Sequence, residues 1–99
     1  MTVPPSDHSG HVRQRLVYSG RVQGVGFRAT ARGVASDFPV TGFVQNLPDG
    51  SVLLEAQGAL PAVEAFRARL AEVMARNIRA EQVETIARVD FESGFVVRR

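Results

Sequence analysis

The 99-residue sequence contains no cysteine. That excludes disulfides, thiolate metal sites and nucleophilic cysteine chemistry, and it leaves cysteine usage silent on redox compartment. Lysine is missing too. All basic residues are arginine, so a pI near 10.4 reflects the choice of residue more than an excess of charge. The net charge is only +2, a weak argument for nucleic acid. No run approaches the ~20 apolar residues of a membrane span. Met1-Thr2-Val3-Pro4-Pro5 lacks the charged start and apolar centre of a secretory signal, so a cytoplasmic protein is expected. Carboxylates are not clustered either. Asp37, Asp49 and Glu55 fall on a helix end, a turn and a strand, and neither a metal nor a cofactor is expected.

What is present suffices for one compact domain with one core, at 44% hydrophobic residues. Charge is unevenly placed along it. Arg13, Arg15, Arg21, Arg28 and Arg32 lie between His8 and Ser36 with no acid, whereas Gly33 to Ala65 carries Asp37, Asp49, Glu55 and Glu64 with no arginine. Such a field could steer small anions toward the first third of the chain. Arg13, Arg15 and Arg32 are themselves read as solvated surface.

Residues 1–11 hold two prolines, Ser6, Asp7, Ser9 and Gly10 without periodic apolar positions, and are expected to form a flexible tail ahead of a domain spanning 12–99. His8 and His11 fall in that tail with no neighbouring ligands and are assigned no role. Val12 to Ser19 reads as a first strand. Phe27, Ala31, Val34, Ala35 and Phe38 recur at helical spacing until Pro39. Val40 to Leu47 and Ser51 to Gln57 flank Pro48-Asp49-Gly50 as a hairpin. From Leu60 to Arg76, Val63, Phe66, Leu70, Val73 and Met74 mark a second amphipathic helix, with Pro61 in its first turn. Val83, Ile86 and Val89 suggest a fourth strand, and Ser93-Gly94 turns into a short final one, Phe95-Val96-Val97. The order is β-α-β-β-α-β plus that short strand. It predicts an α+β fold, the ferredoxin-like (split βαβ) sandwich, with two helices on one face of an antiparallel sheet.

The densest chemical signal is Gly20-Arg21-Val22-Gln23-Gly24-Val25-Gly26-Phe27-Arg28, where the first strand hands over to the first helix. Gly24 and Gly26 can take positive φ, so successive backbone N–H groups can turn toward one point. A helix beginning near Phe27 aims its unpaired N–H groups and positive dipole end at the same point. Arg28 adds a permanent charge with a fork suited to two phosphoryl oxygens. A second constellation, Gly42 to Val52, puts Asn46 just before the hairpin turn. Two roles are open to it, a polar group within reach of the cup or a turn residue bonded to its own backbone. Asp49 is assigned to the turn.

These two segments resemble the motifs of the acylphosphatase family, which hydrolyses carboxyl-phosphate anhydrides. Gly-x-Val-Gln-Gly-Val-x-Phe-Arg stands at Gly20 to Arg28, and Gly-aromatic-Val-x-Asn-x-x-x-Gly-x-Val at Gly42 to Val52, with Gly58 beyond. The likeness runs from about Leu16 to the closing Phe-x-Val-Arg-Arg at Phe95 to Arg99. It implies that Gln23, Gly24, Val25, Gly26, Phe27 and Arg28 bind the substrate phosphate, and that Arg28 and Asn46 are catalytic, Asn46 by holding the attacking water. It also implies a small acyl phosphate as substrate. The chain departs from the family at Tyr18, where an aliphatic residue is usual, and at Asn77-Ile78, where Gly-Pro is frequent.

Two other readings compete. One is an accessory module that keeps the anion cup without turnover. The other is RNA binding on the open sheet face, which needs stacked aromatics and a basic rim. Phe43 is the only aromatic in the first hairpin, so no nucleic-acid partner and no membrane partner is expected. A monomer is the default.

Overall fold

Along the first strand Leu16 and Tyr18 are fully buried, with Gln14 nearly so on the same side, while the alternate positions look the other way. The computed structural model describes residues 10–99. Its elements are β1 (His11–Gly20), α1 (Phe27–Ala35), β2 (Thr41–Asn46), β3 (Val52–Ala59), α2 (Leu60–Val73), β4 (Ile78–Ile86) and β5 (Phe95–Arg98). The strands form one sheet in the order β4-β1-β3-β2-β5. β1 lies between β4 and β3 and is antiparallel to both, with Leu16 opposite Leu54 on one side and Val83 on the other.

Both helices lie on the face that carries Leu16, Val44 and Leu54. Phe27, Ala31 and Val34 of α1 and Val63, Phe66 and Leu70 of α2 close the core over it. Burial of each large apolar side chain contributes about 1.5–3 kcal/mol, which makes this layer the main stabilising term. The rings of Phe38 and Phe95 pack against Phe66, at centroid distances of 6.4 and 5.5 Å.

This is the expected ferredoxin-like α+β sandwich, with four differences. The sheet is mixed, because β5 runs parallel to β2, Gly42 facing Phe95 and Val44 facing Val97. The first helix ends at Ala35 rather than near Phe38. Bonds from Asp37 N–H to Val34 C=O (3.0 Å) and from Phe38 N–H to Ala35 C=O (3.1 Å) tighten its end ahead of Pro39, which disfavours helical backbone at the preceding residue. The second helix stops at Val73 for a similar turn at Met74 to Asn77. β4 starts as early as Ile78, and Val89 lies beyond its end. Most of β4 is exposed, so its sequence carries no alternation to mark it.

Two expectations at the N-terminal side also change. Residues 1–9 of the expected tail lie outside the described residues, as does His8, but His11 already belongs to β1, paired with Ala59. Arg13 is not solvated surface. Only 2% exposed, it donates to Glu55 (2.7 Å), Glu92 (2.8 Å) and Gln57 (3.1 Å) on the sheet face away from the helices. Thr41 Oγ1 also donates to Glu92, at 2.7 Å, and Gln57 exchanges hydrogen bonds with the backbone of Val89. These contacts pin the 87–94 connection as it crosses between the two edges of the sheet. Burial pushes the Glu92 carboxyl up, but hydrogen bonds from Arg13 and Thr41, with the charges of Arg13 and Arg98, hold it below its ordinary value. Arg15 is partly exposed beside Glu55, and Arg32 is exposed, as expected.

Candidate active site

Between β1 and α1 the backbone turns through Gly24 at φ 74° and Gly26 at φ 77°. Nothing lies within 4 Å of where a Cβ would stand at either position, so backbone conformation rather than space calls for glycine. Gly26 is the N-cap of α1, and it offers no side chain to cap the helix; the first turn holds no acid. Thr30 N–H makes the first intrahelical bond, to Gly26 C=O at 2.9 Å. The N–H groups of Phe27, Arg28 and Ala29 therefore have no acceptor within the helix, and the positive end of its dipole is unopposed.

Those three residues line a cavity of about 260 Å³ together with Gly24, Gly26 and Asn46. Val22 and Val97 complete its walls. Arg28 Nη1 donates to the backbone carbonyl of Arg98 at 3.1 Å. This ties the guanidinium to β5 by one nitrogen and leaves its Nε and Nη2 donors for an oxyanion. Asn46, the last residue of β2, faces Val52 across the hairpin. Its Oδ1 is buried and has no hydrogen-bond partner among the described residues. Such an acceptor costs about 1–3 kcal/mol unless a donor reaches it, and the O–H of a water in the cavity is a donor of the right kind.

The turn after Asn46 is closed by other groups. Asp49 Oδ1 accepts from Ser51 Oγ at 2.5 Å and from Ser51 N–H at 2.9 Å, and these bonds lower the Asp49 pKa. The Asn46 carboxamide oxygen makes no bond to the turn.

Of the six loop residues named from the sequence, Gly24, Gly26, Phe27 and Arg28 line the cavity, and Gln23 and Val25 do not. Val25 stands out at the loop tip, 37% exposed. Gln23 points at the hairpin turn, where its Nε2 donates to Leu47 C=O at 2.7 Å and Ser51 C=O at 2.8 Å. It is a strut between the loop and the strand end that carries Asn46. Sequence reasoning missed this strut, and it missed Val22, Ala29 and Val97 as lining. Val97 could have been found only from the β2–β5 pairing, for which a four-residue strand gives no signal. Among the described residues, no three His, Asp or Glu side chains are grouped as a metal site would need.

A split βαβ sandwich with an uncapped helix start, left-handed glycines and an arginine at one loop end belongs to the class of small α+β domains that can receive an oxyanion. The comparisons narrow that class. The acylphosphatase family model matches residues 14–97. An acylphosphatase of Methanospirillum hungatei is 36% identical over 92 residues, covering 88% of this chain and 97% of that protein. One from Salinibacter ruber is 44% identical over 86 residues, covering 82% and 86%. The structure of an acylphosphatase from Coxiella burnetii superposes with a TM-score of 0.81 at 29% identity, over 95% of this chain and 99% of that one. The chain belongs to the acylphosphatase family and is a hydrolase of that class.

Proposed function

We propose that the chain hydrolyses the carboxyl-phosphate bond of small acyl phosphates to a carboxylate and inorganic phosphate, without a metal or cofactor. The phosphoryl group is held by the backbone N–H groups of the 23–28 loop and by Arg28. Asn46 orients the attacking water. The observation that carries this reading is the buried, unpartnered Asn46 Oδ1 in the same cavity as Arg28 and the first-turn residues of α1, whose N–H groups have no acceptor within the helix.

The chemistry suits so small a set of groups. A carboxylate is a good leaving group, so no strong general acid has to meet it. Phosphoryl transfer through a loose transition state asks that charge on the equatorial oxygens be held throughout and that the nucleophile be in line. Fixed N–H donors and a guanidinium do the first, with little reorganisation. A neutral carboxamide cannot take a proton at neutral pH, but it can place a water by accepting from it. The oxygen of that water bonds to phosphorus as the bond to the acyl oxygen breaks, and the phosphoryl oxygens receive the proton. The same reading takes residues 12–99 as the catalytic domain of a cytoplasmic monomer that needs no nucleic acid.

The test is hydrolysis of benzoyl phosphate by the purified protein in excess EDTA. Turnover is expected to persist in EDTA. Arg28→Ala should lower the rate on the order of 10²–10³-fold, as for loss of an oxyanion donor. Arg28→Lys should recover little of it, since a point charge cannot reproduce the fork. Asn46→Ala should cost about 10²-fold through misplacement of the water. Near wild-type turnover in Arg28→Lys or Asn46→Ala would refute the roles given to them, and phosphate binding without turnover would point to an accessory anion-binding module.

A further inference from the structure

Tyr18 of β1 packs against the first residue of α1, at the edge of the candidate site. Its ring is fully buried and meets the ring of Phe27 at a centroid distance of 5.2 Å, tilted by 50°. Phe27 is the first residue of α1 and lines the cavity. The Tyr18 hydroxyl donates to Glu81 Oε2 at 2.8 Å. Arg67 of α2 holds that carboxylate in turn, with Nη2 to Glu81 Oε1 at 2.8 Å, and its Nη1 reaches Gln14 Oε1 on β1 at 3.1 Å. In the sheet Tyr18 faces Glu81 on β4 and Val52 on β3, and Val52 faces Asn46 on β2. One cross-strand row therefore runs Glu81, Tyr18, Val52, Asn46.

We propose that Tyr18 is a positioning residue for phosphate binding: its ring, held in register by Glu81 and Arg67, is the pedestal that fixes Phe27 and with it the start of α1. The inference rests on the reading of the cavity as a phosphate cup. An aliphatic side chain would fill the core here but could not be anchored from β4. The anchor matters because the helix start has no capping side chain of its own, so its angle is set by what Phe27 packs on. Anions bound by backbone N–H groups are sensitive to that angle. Val52 stands between Tyr18 and Asn46. The ring thus bears on the phosphate donors and leaves the water-holding amide where it is.

The experiment is isothermal titration of inorganic phosphate into folded wild type, Tyr18→Phe, Tyr18→Leu and Leu70→Ala, with KM and kcat for benzoyl phosphate beside it. Tyr18→Phe keeps the ring but loses its bond to Glu81, and should weaken phosphate binding by about threefold, between wild type and Tyr18→Leu. Tyr18→Leu should weaken binding at least tenfold, about 1.4 kcal/mol, and raise KM with a smaller change in kcat. Leu70→Ala empties core space in α2 away from the cup, and should lower stability by about 2–5 kcal/mol with phosphate affinity unchanged. Should Tyr18→Leu not fold, Tyr18→Met, whose unbranched chain adapts more readily to the space left by the ring, takes its place with the same expectation. Wild-type affinity in the leucine or methionine variant overturns the proposal, and so does an equal loss in Leu70→Ala. A wild type that binds phosphate but turns nothing over would refute the enzymatic reading and leave the pedestal testable by affinity alone. A wild type that binds no phosphate would overturn both.

Discussion

Replacing Gln23 by alanine removes two hydrogen bonds, to the carbonyls of Leu47 and Ser51. Each such bond contributes about 0.5–1.5 kcal/mol net. Neither carbonyl is orphaned by the change, since Leu47 C=O still accepts from Gly50 N–H at 3.2 Å and Ser51 C=O from Leu47 N–H at 2.9 Å. The loss should therefore fall at about 1–3 kcal/mol rather than at the cost of two bare acceptors. For a domain of this size 1 kcal/mol moves the melting temperature by roughly 4–8 °C, so Gln23→Ala should melt about 4–24 °C lower in a calorimetric scan. Gln23→Glu is the sharper probe. Its carboxylate is isosteric but cannot donate at pH 7, and it sets a negative charge against two carbonyl oxygens. It should melt below the alanine variant. On turnover, both should raise KM for benzoyl phosphate, because the loop and the turn behind Asn46 are no longer braced against each other. A melting temperature within 1 °C of wild type for Gln23→Ala, with Gln23→Glu no worse, would show that the strut does not hold the loop.

Arg13→Met leaves Glu55 and Glu92 facing each other without their shared cation, and breaking a buried pair from one side costs about 3–5 kcal/mol, so its urea midpoint should fall steeply while phosphate affinity stays close to wild type. The pH dependence has a definite sign. The Glu92 carboxyl sits below its ordinary value of 4.5 in the folded protein, so its contribution is complete above that value and is lost as pH falls through the lower folded value. Melting temperature should thus drop on the acid side of pH 4.5, and Glu92→Gln should flatten that limb; an unchanged acid limb in the variant would place the sensitivity elsewhere.

Features with a local cause were legible in the sequence. Left-handed glycines, the spacing of Phe27, Ala31 and Val34, and the Pro48-Asp49-Gly50 turn each follow from the chemistry of a few neighbouring residues. The ferredoxin-like order came from these. Features made by contact between distant segments were not legible. Arg13 reads as surface because its partners, Glu55 and Glu92, come from β3 and from the connection beyond β4. The resemblance names Gln23 for phosphate binding, and nothing nearby in sequence shows the turn that its side chain braces. The parallel docking of β5, which brings Val97 to the cavity and a carbonyl to Arg28, has no periodicity to announce it. β4 shows itself only through Val83 and Ile86, and its start is missed for the opposite reason. An exposed edge strand such as Arg79-Ala80-Glu81-Gln82-Val83-Glu84 buries too little to need an apolar pattern.

The bare start of α1 also couples the thermodynamics of the protein to its surroundings. A capped helix carries about 1 kcal/mol of stabilisation wherever it is measured; an uncapped one that receives an anion takes its stabilisation from solution. A ligand that binds only the folded form adds RT ln(1 + [L]/Kd), about 2.7 kcal/mol at a hundredfold excess over Kd. Under the phosphate-cup reading, stability in phosphate buffer belongs to the liganded protein and stability in a buffer without oxyanions to the free one. The product of the reaction is then also a folding ligand, and the molecule becomes hardest to unfold where its product has accumulated.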